Sequence, residues 1–301
     1  MLEALEATFT ASHPDLDVRF EVRPDPDVLA ALRAGEAAGS VWWGAEWRAL
    51  ATAADEGFLD PYSPPWSEGA EARWAPLYSA PVALVFHTGS VARTRAPRDW
   101  IDLMHPRWWD ALVLPPVEAE ITRAVVEQAM LEELRRTGVE SAGEDWLARL
   151  DAVAAAYAPD PAEQIRRLRA GEASMTLLPA HTAQALSGQY DWLAARFMES
   201  GGPVVVRGVA ILARPDGAPS AGAAARAFVD HLGQPEALRA VQQHLGWGPA
   251  FRMAGVDRDG GWPSVGSGAP VWDFAPDTLA ARGPGWYSHW RQDIQGRGRA
   301  R

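Results

Sequence analysis

The sequence predicts an α/β protein of two lobes. Three features carry that prediction. Ser40 to Trp43 is a short apolar strand, followed by a Gly44-Ala45 turn and then Trp47, Leu50, Ala51, Ala54 and Phe58 at helical spacing, with Gly57 and Pro61 as the stop. Two apolar runs, Pro81 to Phe86 and Val204 to Ala213, the second carrying a single charge at Arg207, have the pattern of strands buried on both faces. Between them, Trp100 to Gly202 alternates helical and strand patterns, enough for a lobe of its own.

The remaining elements follow in order. Leu2, Leu5 and Phe9, with a stop at His13-Pro14, describe an amphipathic helix, and Asp17 to Val22 then reads as a strand. In the second lobe, helices are expected from about Thr122 to Gly138, Glu144 to Tyr157 and Pro161 to Ala170, with a strand from Ser174 to Leu178. After the second apolar run come a helix from Ala221 to Leu232, ended by Gly233 with Pro235 beyond it, and another from Pro235 to Leu245. The expected organisation is lobe one at 1–80 plus 204–245 and lobe two at 81–203. The segment 246–301, rich in Gly, Pro and Trp, is too aromatic for a disordered linker and too broken for long helices, and is expected to coat the lobes irregularly.

Composition closes several functional classes. All 28 basic residues are Arg, and neither Lys nor Asn occurs. Both missing types have A/T-rich codons, so the bias points to a high-GC genome. Without Lys there is no Schiff-base or phosphate-loop lysine; without Cys there is no thiol nucleophile, disulfide or thiolate metal site. A net charge of −11 argues against nucleic acid, and no apolar stretch approaches the roughly 20 residues that span a bilayer.

Several segments carry a family likeness. These are the strand end and helix exit within Leu29 to Tyr62; PRDWIDLMHPRWWDALVLPPVEAEIT (Pro97 to Thr122); IRRLRAGEASMTLLPA (Ile165 to Ala180); and the return strand and helices from Gly201 to Phe251. In order and spacing they resemble the substrate-binding proteins of bacterial ABC importers, the family of ferric-iron, thiamine, polyamine and phosphonate binders, over roughly Leu5 to Phe251. The resemblance implies a type II periplasmic-binding fold, hinged on two crossover strands, that closes on a small-molecule ligand and presents it to permease subunits. It also implies an exported, periplasmic or extracellular monomer without a cofactor. In that family a signal peptide and a first β-strand precede the first helix, whereas Met1 here leads straight into it. An upstream in-frame extension is therefore expected, with the first strand of lobe one absent from this chain. A cytoplasmic protein of the same fold is the alternative.

Ligands of open α/β sheets sit at the carboxyl ends of strands, which nominates the binding residues. Trp42, Trp43 and Glu46 close the first strand and turn; Tyr78 and Ser79 precede the first crossing; Glu118, Glu120 and Thr122 lie between a strand and a helix; His181 and Thr182 follow Ser174 to Leu178. Period two turns one of Trp42 and Trp43 into the core. Glu118 and Glu120 fit either a ligand or the positive end of the next helix, and Thr122 fits either a helix cap or a ligand donor.

Departures from the family pattern bear on what is bound. Ferric binders resemble one another in paired tyrosines where this chain has Ala180-His181-Thr182, and anion binders in a Ser-Gly-Thr turn where it has Ala119-Glu120-Ile121-Thr122. An aromatic and acidic site then suits an organic cation such as a polyamine or thiamine, with a divalent or ferric metal as the alternative. Enzymes on the same fold resemble Cys- or Lys-dependent chemistry that this chain lacks, so catalysis is not expected, and a ligand-binding sensor is the third reading.

Overall fold

The computed structural model describes residues 1–67, 72–213, 222–250 and 271–297. The chain divides into two compact units, Met1–Ser79 with Val206–Ser267, and Ala80–Val205 with Gly268–Arg301. The fold is α/β, with a mixed sheet and flanking helices.

In the first unit, α1 (Leu2–Ser12) sends Leu5 and Phe9 into a core shared with α9 (Gly222–Leu232) and α10 (Pro235–Leu245). The helix α2 (Asp25–Ala34) and α3 (Trp47–Asp55) contribute Leu32, Leu50 and Ala53 to a second core. Between these layers runs β1 (Val41–Glu46), antiparallel to β8 (Val204–Leu212) with Val41 opposite Ile211 and Glu46 opposite Arg207. The short β2 (Leu59–Asp60) also pairs with β8, and β9 (Gly248–Pro249) pairs with the start of β3 (Ala75–His87). Burial of both faces of β3 and β8 is what their largely apolar runs required. Gly208 on β8 has a packing reason: a Cβ there would lie 2.6 Å from Leu50 Cδ1 and 2.9 Å from the Ala75 carbonyl oxygen.

In the second unit, β3 runs antiparallel to β6 (Met175–Pro179) and β7 (Leu193–Arg196), while β4 (Leu112–Leu114) lies parallel to β6 and to β5 (Ala154–Tyr157). The strands alternate with α5 (Glu120–Thr137), α6 (Glu140–Val153), α7 (Pro161–Ala170) and α8 (Ala180–Gln189), after a short α4 (Trp100–Leu103). The amide of Gln164 donates to Thr176 Oγ1 at 2.6 Å, and that hydroxyl donates to the Val113 carbonyl at 2.8 Å, so a buried polar chain stitches α7, β6 and β4 together.

Four expectations need correction. Asp17 to Val22 forms no strand among the described residues, because nothing there pairs with it; its side chains nevertheless alternate, with Leu16, Val18 and Phe20 half-buried and Asp17, Arg19 and Glu21 exposed. The Gly44-Ala45 turn is instead a bulge inside β1, where Gly44 takes φ +75° and the register shifts between Trp43 and Ala45. The helix expected to Tyr157 ends at Val153, and Ala154–Tyr157 is β5, since ladder pairing with β4 outweighs alanine's helical preference. The C-terminal segment contains a helix, α11 (Pro276–His289), continued by a wider turn over Trp290–Ile294. Pro284 sits inside it, tolerated because Leu279, Trp286, Tyr287 and Trp290 are buried and anchor both sides. Part of the Trp-rich segment, 251–270, lies outside the described residues.

Candidate functional site

In the first unit the carboxyl end of β1 gathers charge. Asp25, the first residue of α2, accepts from the Glu46 backbone N–H at 2.9 Å and faces the Arg207 guanidinium at 3.4 Å. Glu46 in turn pairs with Arg48 at 2.9 Å, and Arg48 lies 4.5 Å over the Trp47 ring. Arg207 also lies 5.8 Å from the Trp247 ring centre. Burial is the main influence on Asp25 and raises its carboxyl above the ordinary value, against the opposing pull of the Glu46 N–H and Arg207. Two carboxylates and two guanidiniums thus form a balanced quartet flanked by indoles.

The aromatic residues nominated beside this quartet divide into core and rim. Trp42 is 6% exposed and belongs to the core with Leu32 and Leu50, so it is the inward member of the pair. Trp43 is half-buried, and its indole N–H donates to Tyr78 Oη at 3.1 Å. Tyr78 is buried, which pushes its phenol far above the ordinary range and keeps it neutral. Ser79 is buried too, its hydroxyl donating to the Pro249 carbonyl at 3.1 Å. Ser79 and Tyr78 therefore support the sheet rather than present polar atoms to solvent.

In the second unit, parallel β4, β5 and β6 bring their carboxyl ends to one edge, so the loop after Leu114 and the start of α8 are neighbours in the sheet order. Thr122 is 5% exposed, and its hydroxyl donates to the Pro116 carbonyl at 2.8 Å, closing the β4–α5 loop; neither a cap on its own helix nor an outward donor, it fixes the loop. Glu118 is exposed and pairs with Arg291 at 2.8 Å. Glu120 is the first residue of α5, half-buried, in the place where the helix dipole favours a carboxylate. His181 and Thr182 follow the strand as expected; α8 begins directly at Ala180, so both lie in its first turn and are half-buried.

Sequence reasoning missed Asp25, Arg48, Arg207 and Trp247 in the first unit and Arg123, Tyr287 and Arg291 in the second. Tyr287 donates to the Val117 carbonyl at 2.5 Å, and Arg123 lies 4.6 Å over its ring, so α11 braces the loop that holds Glu118. One signal was available: Arg207 is the lone charge in the apolar run VVVRGVAIL. Its partners came from distant segments and left no local trace. Among the described residues no group of three or more His, Asp or Glu is placed to hold a metal ion, and no helix is long and apolar enough to cross a membrane.

Comparison with known proteins agrees with this architecture. The iron-bound HitA of Pseudomonas aeruginosa superposes with a TM-score of 0.70 at 17% identity, covering 95% of this chain and 94% of that one. The Trichodesmium protein IdiA (FutA), solved with iron and citrate, gives 0.75 at 16% identity over 96% and 94%. At these identities the likeness shows the type II periplasmic-binding fold. A probable ABC transporter periplasmic-binding protein, y4fP of Sinorhizobium fredii, is 27% identical over 208 residues, 66% of this chain; the match spans 57% of that relative's length. Residues 1–245 match the profile of the bacterial extracellular solute-binding proteins, and the chain belongs to that family.

Proposed function

We propose that this protein is the solute-binding component of an ABC importer, exported from the cytoplasm, which binds a small molecule without turnover and delivers it to permease subunits. Family membership and the relationship to the Sinorhizobium binding protein support the role. The quartet Asp25, Glu46, Arg48 and Arg207, with Trp43 and Trp247 beside it, is the observation that supports a ligand class. Each carboxylate there has a guanidinium partner, and Glu118 has Arg291. That balance suits a small organic solute carrying both a cationic and an anionic group, whose charges exchange with the existing pairs while an apolar face lies on indole.

Titration by calorimetry and indole fluorescence tests the proposal. The panel holds amino acids and betaines as zwitterions, polyamines and thiamine as cations, ferric and divalent metals, phosphonates and sugars. Saturable one-to-one binding of a zwitterion, with the compound recovered unchanged, is the expected result. Tighter binding of a polyamine or thiamine returns the ligand to the organic cations, a metal to the metal alternative, and consumption of any compound replaces binding with catalysis.

A further inference from the structure

The second unit carries a long loop in which none of the nominated ligand residues lies. His87 closes β3 and Ala111 precedes β4, and both are tied to one residue: the His87 N–H donates to the Ser174 carbonyl at 2.9 Å, and the Ser174 N–H donates to the Ala111 carbonyl at 2.8 Å. Residues 88–110 thus leave and return at a single point. That point is the amino end of the parallel strands β4 and β6, opposite to the carboxyl ends that lead to Glu118 and His181. The inner face of the loop is fixed. Val91, Ala96, Trp100 and Leu103 are buried, and the Arg196 guanidinium on β7 donates to the Ala96 and Arg93 carbonyls, each at 2.8 Å.

The outer face has a different composition. Ile101 is 64% and Trp109 61% exposed, more than any other large apolar side chain described in this unit. Asp110, next to Trp109, takes φ +59°, among the described residues the one non-glycine in the left-handed region, and strain of this kind gathers at functional positions. Arg93, Arg95, Arg98 and Arg107 are exposed on the same loop. Two of its three carboxylates are engaged internally: Asp99 accepts from the Trp100 N–H at 2.7 Å and from the Ser200 hydroxyl, and Asp102 from the Arg98 N–H at 3.1 Å. Glu199 lies 4.0 Å from Arg98, whereas Arg93, Arg95 and Arg107 meet no carboxylate within ion-pair distance among the described residues. A chain of net charge −11 therefore presents a basic face here. Amphipathic rings border its base, where the Trp192 carbonyl accepts the Thr88 N–H at 2.8 Å and the half-buried Trp192 ring lies 5.0 Å from His87 and 5.5 Å from Tyr190.

We propose that the outer face of residues 88–110 docks reversibly on the surface of an anionic phospholipid bilayer, with Trp109 and Ile101 entering the headgroup region and Arg93, Arg95 and Arg107 pairing with lipid phosphates. Indoles favour the membrane–water boundary because their apolar body and polar N–H are satisfied at one depth, and Arg extends its charge to the phosphates from an apolar stem. Two separate protruding side chains suit a fluid surface that conforms to them. A stable protein partner would need roughly 800 Å² of complementary face on each side, with a packed centre. The charge distribution sets the orientation, since anionic lipid attracts this loop and repels the acidic remainder of the chain. Docking leaves the carboxyl ends of β4 and β6 uncovered, so lipid contact is separate from solute binding.

Cosedimentation of the purified protein with vesicles is the test. One set contains equal parts phosphatidylglycerol and phosphatidylcholine and the other phosphatidylcholine alone, each at about 50 mM and about 500 mM salt. The parent should partition onto the anionic vesicles at low salt, and about tenfold less onto neutral vesicles or at high salt. The double variants Trp109→Ala/Ile101→Ser and Arg93→Gln/Arg95→Gln should each lower that partitioning by about fivefold or more. Val139→Ser, which removes an exposed apolar side chain elsewhere on this unit, should leave it unchanged. Thermal unfolding should be the same for all four proteins, because the altered side chains are exposed. Equal partitioning onto the two lipids, no sedimentation at low salt, or undiminished binding by either double variant overturns the proposal. So does an absence of vesicle binding joined to binding of detergent-solubilised permease subunits that Trp109→Ala/Ile101→Ser abolishes, because the face then belongs to a protein partner.

Discussion

The side-chain amide of Gln128 satisfies both backbone polar groups of Val204: Oε1 accepts from its N–H at 2.9 Å and Nε2 donates to its carbonyl at 2.6 Å. Both residues are buried, and they stand 76 positions apart. A helix side chain thus does the work of a strand neighbour at the point where the return crossing begins. Replacing Gln128 by Leu keeps the volume but strands two buried backbone groups, so a loss of about 2–4 kcal/mol is expected by urea denaturation. Gln128→Glu sets a buried carboxylate against the Val204 carbonyl and should cost more than Leu at neutral pH, the loss easing at low pH where the protonated carboxyl can donate to that carbonyl. A Leu variant as stable as the parent would show that water or a local shift replaces the amide.

Asp25 gives stability a pH dependence of unusual sign for a carboxylate. Its folded pKa lies above the unfolded value because burial dominates. The folded state therefore holds the proton more tightly, and this group's contribution is full below the unfolded value of 3.8 and declines as pH rises through the folded value. Asp25→Asn removes that decline while keeping an acceptor for the Glu46 N–H. Denaturation midpoints from pH 3 to 7 should show a difference between variant and parent that grows with pH in this window; a constant difference would contradict it.

His231 acts at higher pH. It is buried on α9, its Nε2 lies 3.0 Å from Thr8 Oγ1, and its ring meets the edge of Phe9, with His13 and Glu236 as neighbours. Burial lowers its pKa below 6.5, partly offset by Glu236. The unfolded chain then takes up the proton first, so stability present above pH 6.5 is lost as pH falls toward the folded value. His231→Gln should flatten this part of the pH profile, as measured by thermal unfolding between pH 5 and 8.

Ligand recognition is tested at both carboxyl-end clusters. Once a ligand is identified by titration, Arg207→Gln should weaken it about tenfold or more, and His181→Ala should cost roughly 1–3 kcal/mol if its ring hydrogen-bonds the ligand. Far-ultraviolet circular dichroism should be unchanged for His181→Ala, since a half-buried residue in a first helical turn supports little core. An unaltered dissociation constant in both variants would move the site away from both clusters.

Periodicity determined the α/β reading, because spacing of apolar residues encodes which face of an element is buried, whereas the expectation of two lobes came with the family resemblance. Leu5 and Phe9 on α1, and the largely apolar run from Val204, were legible for that reason. The composition also determined, without any fold, that Cys and Lys chemistry is closed to this protein. Tertiary structure decided the rest. Whether Ala154–Tyr157 extends a helix or joins a sheet depended on β4 lying beside it, and Pro284 stands inside a helix because packing on either side outweighs the local break. Asp25 meets Arg207 across 182 positions, and Tyr287 braces Val117 across 170. Such pairings depend on which segments the fold brings together, and a one-dimensional pattern records the burial of each segment but not the identity of its neighbour.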